Sequence, residues 1–472
     1  MNLNNIKKRL FEKFPFVPTK SQKTTINNFS NFICQSINRV FILKGYAGTG
    51  KTTLIGTIIS SLSREKIKCI LLAPTGRAAK VMSSYSGFSA TTIHRRIYFS
   101  KQEKNGAINF KLQNNKFKNA LFIVDEASMI SDSTNQNLIF KNSSLLNDLV
   151  EYVFSGENCK LLFIGDSAQL PPVQSLVSPA MDKNGLESKF GYGVEISRLE
   201  EVVRQKLDSG ILFNATQIRG CISNNIDKFK LRTIGFSDVI KINDSLELQE
   251  AIEDSYNSVG INETACIVMS NKRANLYNKQ IRTEILSRNS EINVDDILMV
   301  VKNNYFWLDD TSESGFIANG DIIKVIGINS LKKLYGFSFA EIMVKMIDYP
   351  NQPSFNTVVM LDTLKSDSPA LSFDENKKLY EKVKEDYKHL PNYKQYLSIK
   401  TNKYFNALQI KYAYAFTCHK SQGGQWKNII LEKPFYLNNK DFNYPRWMYT
   451  ALTRAKEKLY LVAFEENNYQ EL

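Results

Sequence analysis

An α/β fold with two parallel sheets is what this 472-residue sequence predicts. Three observations carry that expectation. Short apolar runs without polar alternation recur in the first part of the chain, as strands buried on both faces do. Polar or glycine-rich residues follow each run, the carboxyl-edge pattern at which open α/β sheets bind ligands. The same texture returns in the second half and is interrupted there by one all-β stretch.

The elements follow in order. Val40-Phe41-Ile42-Leu43-Lys44 runs into Gly45, and Cys69-Ile70-Leu71-Leu72-Ala73 stops at Pro74. Leu121-Phe122-Ile123-Val124 stops at Asp125, and Lys160-Leu161-Leu162-Phe163-Ile164 at Gly165-Asp166. Between Ile93 and Leu121 the stretch YFSKQEKNGAINFKL sets Asn105-Gly106 between two partly alternating segments. Asn-Gly is a strong hairpin signal, so a small β-hairpin inserted into the first domain is expected, with a plain surface loop as the competing reading.

Ala265-Cys266-Ile267-Val268-Met269 is the next buried strand, followed by the helical pattern NKRANLYNKQIRTEIL. From Ile292 to Asp362 short apolar runs alternate with turn residues, which predicts a small barrel inserted into the second domain. ENKKLYEKVKEDYKHL has the spacing of an amphipathic helix, and the α/β pattern resumes at Lys411-Tyr412-Ala413-Tyr414-Ala415 and runs to Lys458–Val462. The expected boundaries are 1–204 for the first domain, with the hairpin at 95–118. The second domain takes 205–291 and 401–472, and the barrel with its charged helix 292–400.

Composition bounds the class. The chain is 43% hydrophobic with 29 Phe and 22 Tyr, an apolar load that disordered chains lack. Its formal net charge of +14 fits either a lysine-rich soluble surface or attraction to a polyanion. Cys34, Cys69, Cys159, Cys221, Cys266 and Cys418 include no C-x-x-C pair, and His94, His389 and His419 are dispersed, so no zinc or redox motif is legible. No signal peptide and no apolar run long enough to span a membrane is present, which predicts a soluble, cytoplasmic protein without a membrane partner.

Chemistry concentrates after the strands. Gly45-Tyr46-Ala47-Gly48-Thr49-Gly50-Lys51-Thr52 is G-x-x-x-x-G-K-T between a strand and a helical stretch that starts at Thr53, the context this phosphate-binding motif requires. Glycines let backbone N–H groups wrap phosphates, and the helix N-terminus adds positive potential. Lys51 is expected on the β- and γ-phosphates of ATP and Thr52 on Mg²⁺. Asp125 is expected to hold the metal shell and Glu126 to polarise the attacking water, with helix capping as the bland alternative. Gln169 in GDSAQLPP is positioned to sense the γ-phosphate, though an ordinary loop glutamine explains it as well.

The ordered set GYAGTGKT, LAPTGRAA, TTIH, VDEAS, GDSAQLPPV, EVVRQ, TCHKSQGGQW and YTALTRAKEKL resembles superfamily 1 helicases, nearest to the RecD-like and bacteriophage Dda-like branch, from Gln22 to about Val462. The resemblance implies two RecA-like motor domains, an SH3-like barrel in the second, and ATP bound between the two. It implies that Gln22 reads adenine, that Gly423 lies beside the nucleotide, and that Arg204 and Arg454 reach the γ-phosphate across the cleft. By the same resemblance Pro74, Thr75, Thr92, His94, Thr417, His419 and Lys420 contact the DNA strand. The hairpin occupies the place of the strand-separating pin, where Tyr98, Phe99 or Phe110 could stack on a base pair. No counterpart of a long N-terminal extension or of a nuclease domain is expected.

The implied activity is ATP-dependent unwinding, with single-stranded and forked duplex DNA as partners, alongside replication or repair proteins. A 5′ to 3′ polarity rests on the resemblance alone. A motor that displaces proteins without separating strands, and a nucleotide-gated switch without sustained turnover, are the competing functions. Glu126, Arg204 and Arg454 speak against the switch.

Overall fold

The apolar runs form the expected strands in a computed structural model. It describes residues 3–470 apart from 36–37, 66, 103–107, 134–143, 173–174, 176, 203–208, 309–311, 313–315 and 436–442, and the backbone alone at 38, 64, 100–102 and 108–110. The first eight strands are β1 (Asn38–Gly45), β2 (Lys68–Ala73), β3 (Ala90–Thr92), β4 (Tyr98–Gln102), β5 (Ile108–Leu112), β6 (Ala120–Val124), β7 (Lys160–Gly165) and β8 (Gly193–Leu199). Among the described residues, six of these form one parallel sheet in the order β3-β2-β6-β7-β1-β8.

Residues of β1 alternate between two cores. Val40 and Ile42 pack with Phe122 and Phe163 on one face, while Phe41 and Leu43 pack with Phe29 and Phe32 on the other. Both faces are therefore covered, which is why the runs carry no polar alternation. A parallel sheet also aligns its carboxyl ends, so Gly45, Asp125 and Asp166 emerge along one edge.

β4 and β5 pair antiparallel from Tyr98↔Leu112 to Gln102↔Ile108. The hairpin strands are thus present, and the Asn105-Gly106 turn lies outside the described residues.

The second half contains β9 (Val239–Ile242), β10 (Thr264–Val268), β11 (Ile297–Val300), β12 (Ile322–Leu334), β13 (Phe337–Met346), β14 (Phe355–Met360), β15 (Leu408–Tyr412), β16 (Ala415–Thr417), β17 (Trp426–Glu432) and β18 (Ala455–Val462). A second parallel sheet has the order β16-β10-β17-β18-β9, and β11 through β15 close into a barrel. The barrel leaves the sheet after β10 and its following helix, and returns directly from β15 into β16.

That return corrects one expectation. The α/β pattern was expected to resume at Lys411, but Leu408–Tyr412 is the strand that closes the barrel against β11 and β14. Only Ala413 and Tyr414 separate it from β16, so no turn residues mark the change of sheet. The charged segment forms a helix, Phe373–Asp386, with a Ser372/Glu375 capping box, and its Leu379 and Val383 pack on Phe337 and Phe339 of the barrel.

A buried carboxylate ties barrel to sheet. Asp296 is fully buried and accepts from Arg282 Nε at 3.1 Å and Nη2 at 2.9 Å, from Arg288 Nη1 at 3.1 Å, and from Tyr414 Oη at 3.0 Å. Removing its charge leaves buried guanidinium groups uncompensated. Asp296→Asn is therefore expected to cost about 2–3 kcal/mol, read by chemical denaturation. A loss indistinguishable from zero would mean that solvent or another group compensates the two arginines.

Candidate nucleotide site and its cross-domain partners

The phosphate loop owes its shape to residues that no side chain could replace. Gly48 and Gly50 sit at φ +78° and +84°, left-handed backbone that glycine adopts without strain. A Cβ on Gly50 would lie 2.7 Å from Gln22 Nε2, so the cradle is also too tight for one. Gln22 is buried behind the loop, donating to Thr49 O at 3.1 Å and accepting from Thr19 N at 3.0 Å. Both ends of the amide expected to read adenine are thus engaged in supporting the loop and capping its own helix. Lys51 heads the helix Lys51–Leu62, and its Nζ donates to Gly45 O at 2.6 Å and Tyr46 O at 2.9 Å. Thr49 Oγ1 adds a bond to Tyr46 O, while the Thr52 side chain is exposed and Thr53 half-buried in the first turn.

Asp125 and Glu126 leave β6 at the same edge. Tyr85 Oη donates to Asp125 Oδ2 at 2.7 Å, and Glu126 N–H donates to Asp125 Oδ1 at 2.9 Å. Tyr85 was not singled out in the sequence, and it fixes the carboxylate expected to serve the metal. Hard oxygen donors at Asp125 and Thr52, beside a glycine cradle, suit Mg²⁺ carried on a phosphate chain. Glu126 adopts φ +50° and ψ 34°, a left-handed conformation that costs a non-glycine residue about 1–2 kcal/mol. Burial raises its carboxyl above the usual range, and Asp125 pushes it further. Arg454 and Lys51 oppose that rise.

Arg454 reaches this site from the other half of the chain. The residue is 3% exposed, and its guanidinium donates to Thr450 O at 3.0 Å, Gly424 O at 3.1 Å and Thr453 Oγ1 at 3.3 Å. Among the described residues no carboxylate forms an ion pair with it, although it acts electrostatically on Glu126. The loop after β7 is held from the same side. The helix Tyr444–Leu452 sends Arg446 to Ser167 O, Tyr449 Oη to Asp166 Oδ2 at 2.6 Å, and the Thr450 hydroxyl to Leu170 N at 2.8 Å. Gln422 Nε2 donates to Leu170 O at 2.7 Å. Gln169 lies in this gripped loop, buried, with its side-chain oxygen unpartnered. Arg204 lies outside the described residues.

Most of the strand-contacting candidates gather along a seam between the first domain, the barrel and the second sheet. Pro74 is half-buried, and Thr75 Oγ1 caps the helix Gly76–Ser86 through Ala78 N at 3.2 Å. A Cβ on Gly76 would meet Asp321 Oδ1 of the barrel at 2.4 Å. Gly423, expected beside the nucleotide, has Thr75 and Ala78 as its nearest neighbours, each 3.1 Å from a Cβ placed on it. Thr417 heads the short helix Cys418–Ser421, His419 is exposed, and Lys420 Nζ donates to Asn319 Oδ1 of the barrel at 2.6 Å. Burial lowers the Lys420 ammonium to about 8.

Thr92 is buried and caps the next helix through Arg95 N, and Arg95 donates to Ser312 O at 2.7 Å. Burial pushes His94 down to about 4, so it stands neutral near pH 7 and offers a polar contact rather than a charge. Across the same seam Arg77, also unforeseen, lies 3.9 Å over the Trp426 ring.

At the hairpin, Tyr98 is committed inward, its hydroxyl donating to Asp148 Oδ2 at 2.6 Å while its ring packs on the first core. Phe99 on the opposite face is 42% exposed. The Phe110 side chain lies outside the described residues.

Known proteins match the same segments. An AAA domain model matches residues 32–175, and a UvrD-like helicase C-terminal domain model matches residues 412–462. The chain is 28% identical over 479 residues to an uncharacterized protein of Methanocaldococcus jannaschii, covering 91% of this chain and 37% of that protein. It therefore spans little more than a third of that relative's length. It is 24% identical over 519 residues to the RecD subunit of the RecBCD enzyme of Buchnera aphidicola, covering 98% of this chain and 78% of that one. To the ATP-dependent DNA helicase Dda of Enterobacteria phage T4 it is 27% identical over 317 residues, covering 65% of this chain and 67% of that one. The first matched segment holds the phosphate loop, Asp125, Glu126 and Gln169, and the second holds Thr417 through Gly423 and Arg454. Along both matched segments the chain is similar to superfamily 1 helicases of the RecD and Dda type.

Proposed function

We propose that this chain is an ATP-dependent DNA helicase that moves 5′ to 3′ along single-stranded DNA and opens forked duplexes. One observation supports the reading: the helix that carries Arg454 towards Glu126 bonds to the phosphate loop and to the loop after β7, through Tyr449 to Ala47 N and Asp166 Oδ2 and through Thr450 to Leu170 N. ATP with Mg²⁺ supplies the phosphoanhydride bond that water cleaves. Backbone amides of the loop 45–52 and the Lys51 ammonium would bind the phosphates, and Thr52 and Asp125 would hold the metal. Glu126 takes a proton from the attacking water. Arg454, and Arg204 by resemblance, stabilise charge that develops on the γ-phosphoryl oxygens, the task of arginine fingers in other phosphoryl-transfer enzymes. Because both domains grip the same phosphates, hydrolysis loosens one domain from the other, and the seam along Thr75, Thr417 and Lys420 carries that motion to the strand.

The test is ATPase rate with and without single-stranded DNA, followed by unwinding of duplexes bearing a 5′ or a 3′ tail. Stimulation by DNA and unwinding of the 5′-tailed substrate are expected. No stimulation defeats the motor reading, and unwinding of the 3′-tailed substrate alone defeats the polarity.

Separation of strands further needs a rigid element at the fork. Phe99 is the exposed aromatic of the hairpin, and stacking on a base is worth about 1–3 kcal/mol. Replacing residues 99–110 by a short Gly-Ser linker keeps Tyr98 and its bond to Asp148. DNA-stimulated ATPase is expected to persist while unwinding per ATP falls about tenfold, the size of one lost stacking contact. Unchanged unwinding per ATP would make the hairpin a surface loop. If the intact chain tracks along DNA and strips bound proteins without opening duplexes, it is a translocase.

A further inference from the structure

We infer that Tyr449 is a positioning residue for the hydrolysis proposed above: its hydroxyl, bridging the phosphate loop and Asp166, sets where Arg454 stands over the nucleotide. The inference rests on that reading of the site.

Tyr449 is 1% exposed, in the helix Tyr444–Leu452 of the second domain. Its Oη accepts from Ala47 N at 2.9 Å and donates to Asp166 Oδ2 at 2.6 Å. One hydroxyl therefore touches two nucleotide-facing loops of the first domain, after β1 and after β7. Ala47 lies within the cradle, between Gly45 and Gly48. Burial and the Asp166 carboxylate raise the phenol well above its usual range, so it keeps the proton it donates.

The contact reaches Arg454 along the helix. Residues 446, 449, 450 and 453 recur at helical spacings of three and four, which brings them to one face. From that face Arg446 holds Ser167 O, and Thr450 takes Leu170 N with its hydroxyl. Thr450 O in turn receives Arg454 Nε at 3.0 Å, and Gly424 O receives its Nη1 at 3.1 Å. The guanidinium is thus hung from the helix that Tyr449 anchors. Without the hydroxyl, the height of this helix above the phosphate loop is fixed only by its flanking contacts. Arg454 then drifts relative to Glu126 and the γ-phosphoryl group. Misplacement of a group that acts on transition-state charge lowers kcat more than ATP binding.

The test uses the full chain and the variants Tyr449→Phe, Arg454→Ala and the double variant. Tyr449→Phe removes one oxygen and keeps the ring. It is expected to lower DNA-stimulated kcat about tenfold with KM for ATP within about twofold, and to cost nothing further in the Arg454→Ala background. A general packing role would instead multiply the two losses. Hydrogen exchange in the nucleotide-free chain gives an independent readout, because the Ala47 amide loses its acceptor and should exchange about tenfold faster in Tyr449→Phe.

Multiplicative losses in the double variant, an unchanged kcat, or unchanged Ala47 exchange each overturn the inference. Asp166→Asn, which weakens the same bridge from the first domain, is expected to repeat the pattern if Tyr449→Phe does not fold. A wild-type chain that does not hydrolyse ATP defeats the proposed function, and Ala47 exchange still decides the Tyr449 contact.

Discussion

Glu126→Gln is expected to leave ATP and DNA binding intact and to cut turnover by about 10²–10⁴-fold, the usual contribution of a positioned general base. The reasoning starts from the backbone. Glu126 sits at φ +50°, where glycine would be relaxed, and its N–H is tied to Asp125 Oδ1. Strain held at one residue beside an anchored carboxylate indicates a direction of approach that the surrounding fold enforces. Glutamine keeps that shape and can still hydrogen-bond water, but it cannot accept a proton. Asp125, its partner Tyr85 and Lys51 remain, so nucleotide affinity survives. Lys51→Ala contrasts with this, since it removes a phosphate contact and should weaken binding together with hydrolysis.

The assay is single- and multiple-turnover hydrolysis alongside fluorescent nucleotide binding. Hydrolysis within a few-fold of wild type would remove Glu126 from the chemistry. The pH profile adds a second check. Burial, reinforced by Asp125, raises this carboxyl, and only the unprotonated form can take the proton. The acid limb of kcat/KM should therefore lie above the range of an ordinary glutamate.

How much of this was legible in the sequence depends on the range of each interaction. The shape of the phosphate loop was, because it is set by eight consecutive residues, of which Gly48 and Gly50 take up local left-handed backbone. Asp125 and Glu126 were legible for the same reason, each following directly from the end of a buried run. Tyr85 and Tyr449 were not. The first meets Asp125 across 40 positions and the second meets Ala47 across 402, and neither pairing leaves a local pattern. The choice among Tyr98, Phe99 and Phe110 stayed open because an aromatic in a hairpin strand has two faces to choose from, and periodicity alone did not fix the register that sends the Tyr98 hydroxyl to Asp148. The fifth barrel strand escaped because Leu408–Tyr412 passes into β16 through two residues with no glycine or proline between them. Arg454 came from the resemblance. Nothing in its neighbourhood along the chain distinguishes it from Lys456 or Lys458, which are exposed.

Arg454→Ala is expected to lower DNA-stimulated kcat by about 10³-fold, the low end of what a trans-acting arginine contributes in comparable phosphoryl transfers. That corresponds to about 4 kcal/mol of transition-state stabilisation. The structure gives the reason for so large an effect. An arginine 3% exposed has given up most of its water, and among the described residues its guanidinium is held by two carbonyls and a hydroxyl rather than by a carboxylate. Burying a cation in this way costs free energy unless an anion meets it, and on the proposed function that anion is the phosphoryl group in transfer. DNA affinity in the absence of nucleotide should change little, because Arg454 acts on Glu126 and the proposed path of the strand runs past Thr75, Thr417 and Lys420.

Arg454→Lys should recover only part of the loss, since an ammonium cannot reproduce the planar fork of donors. Removing Arg454 also removes a cation that lowers the Glu126 carboxyl, so any residual activity should show its acid limb at still higher pH than wild type. Wild-type kcat in Arg454→Ala would mean that the second domain contributes no charge to the reaction, and a large loss with no movement of the acid limb would separate Arg454 from Glu126.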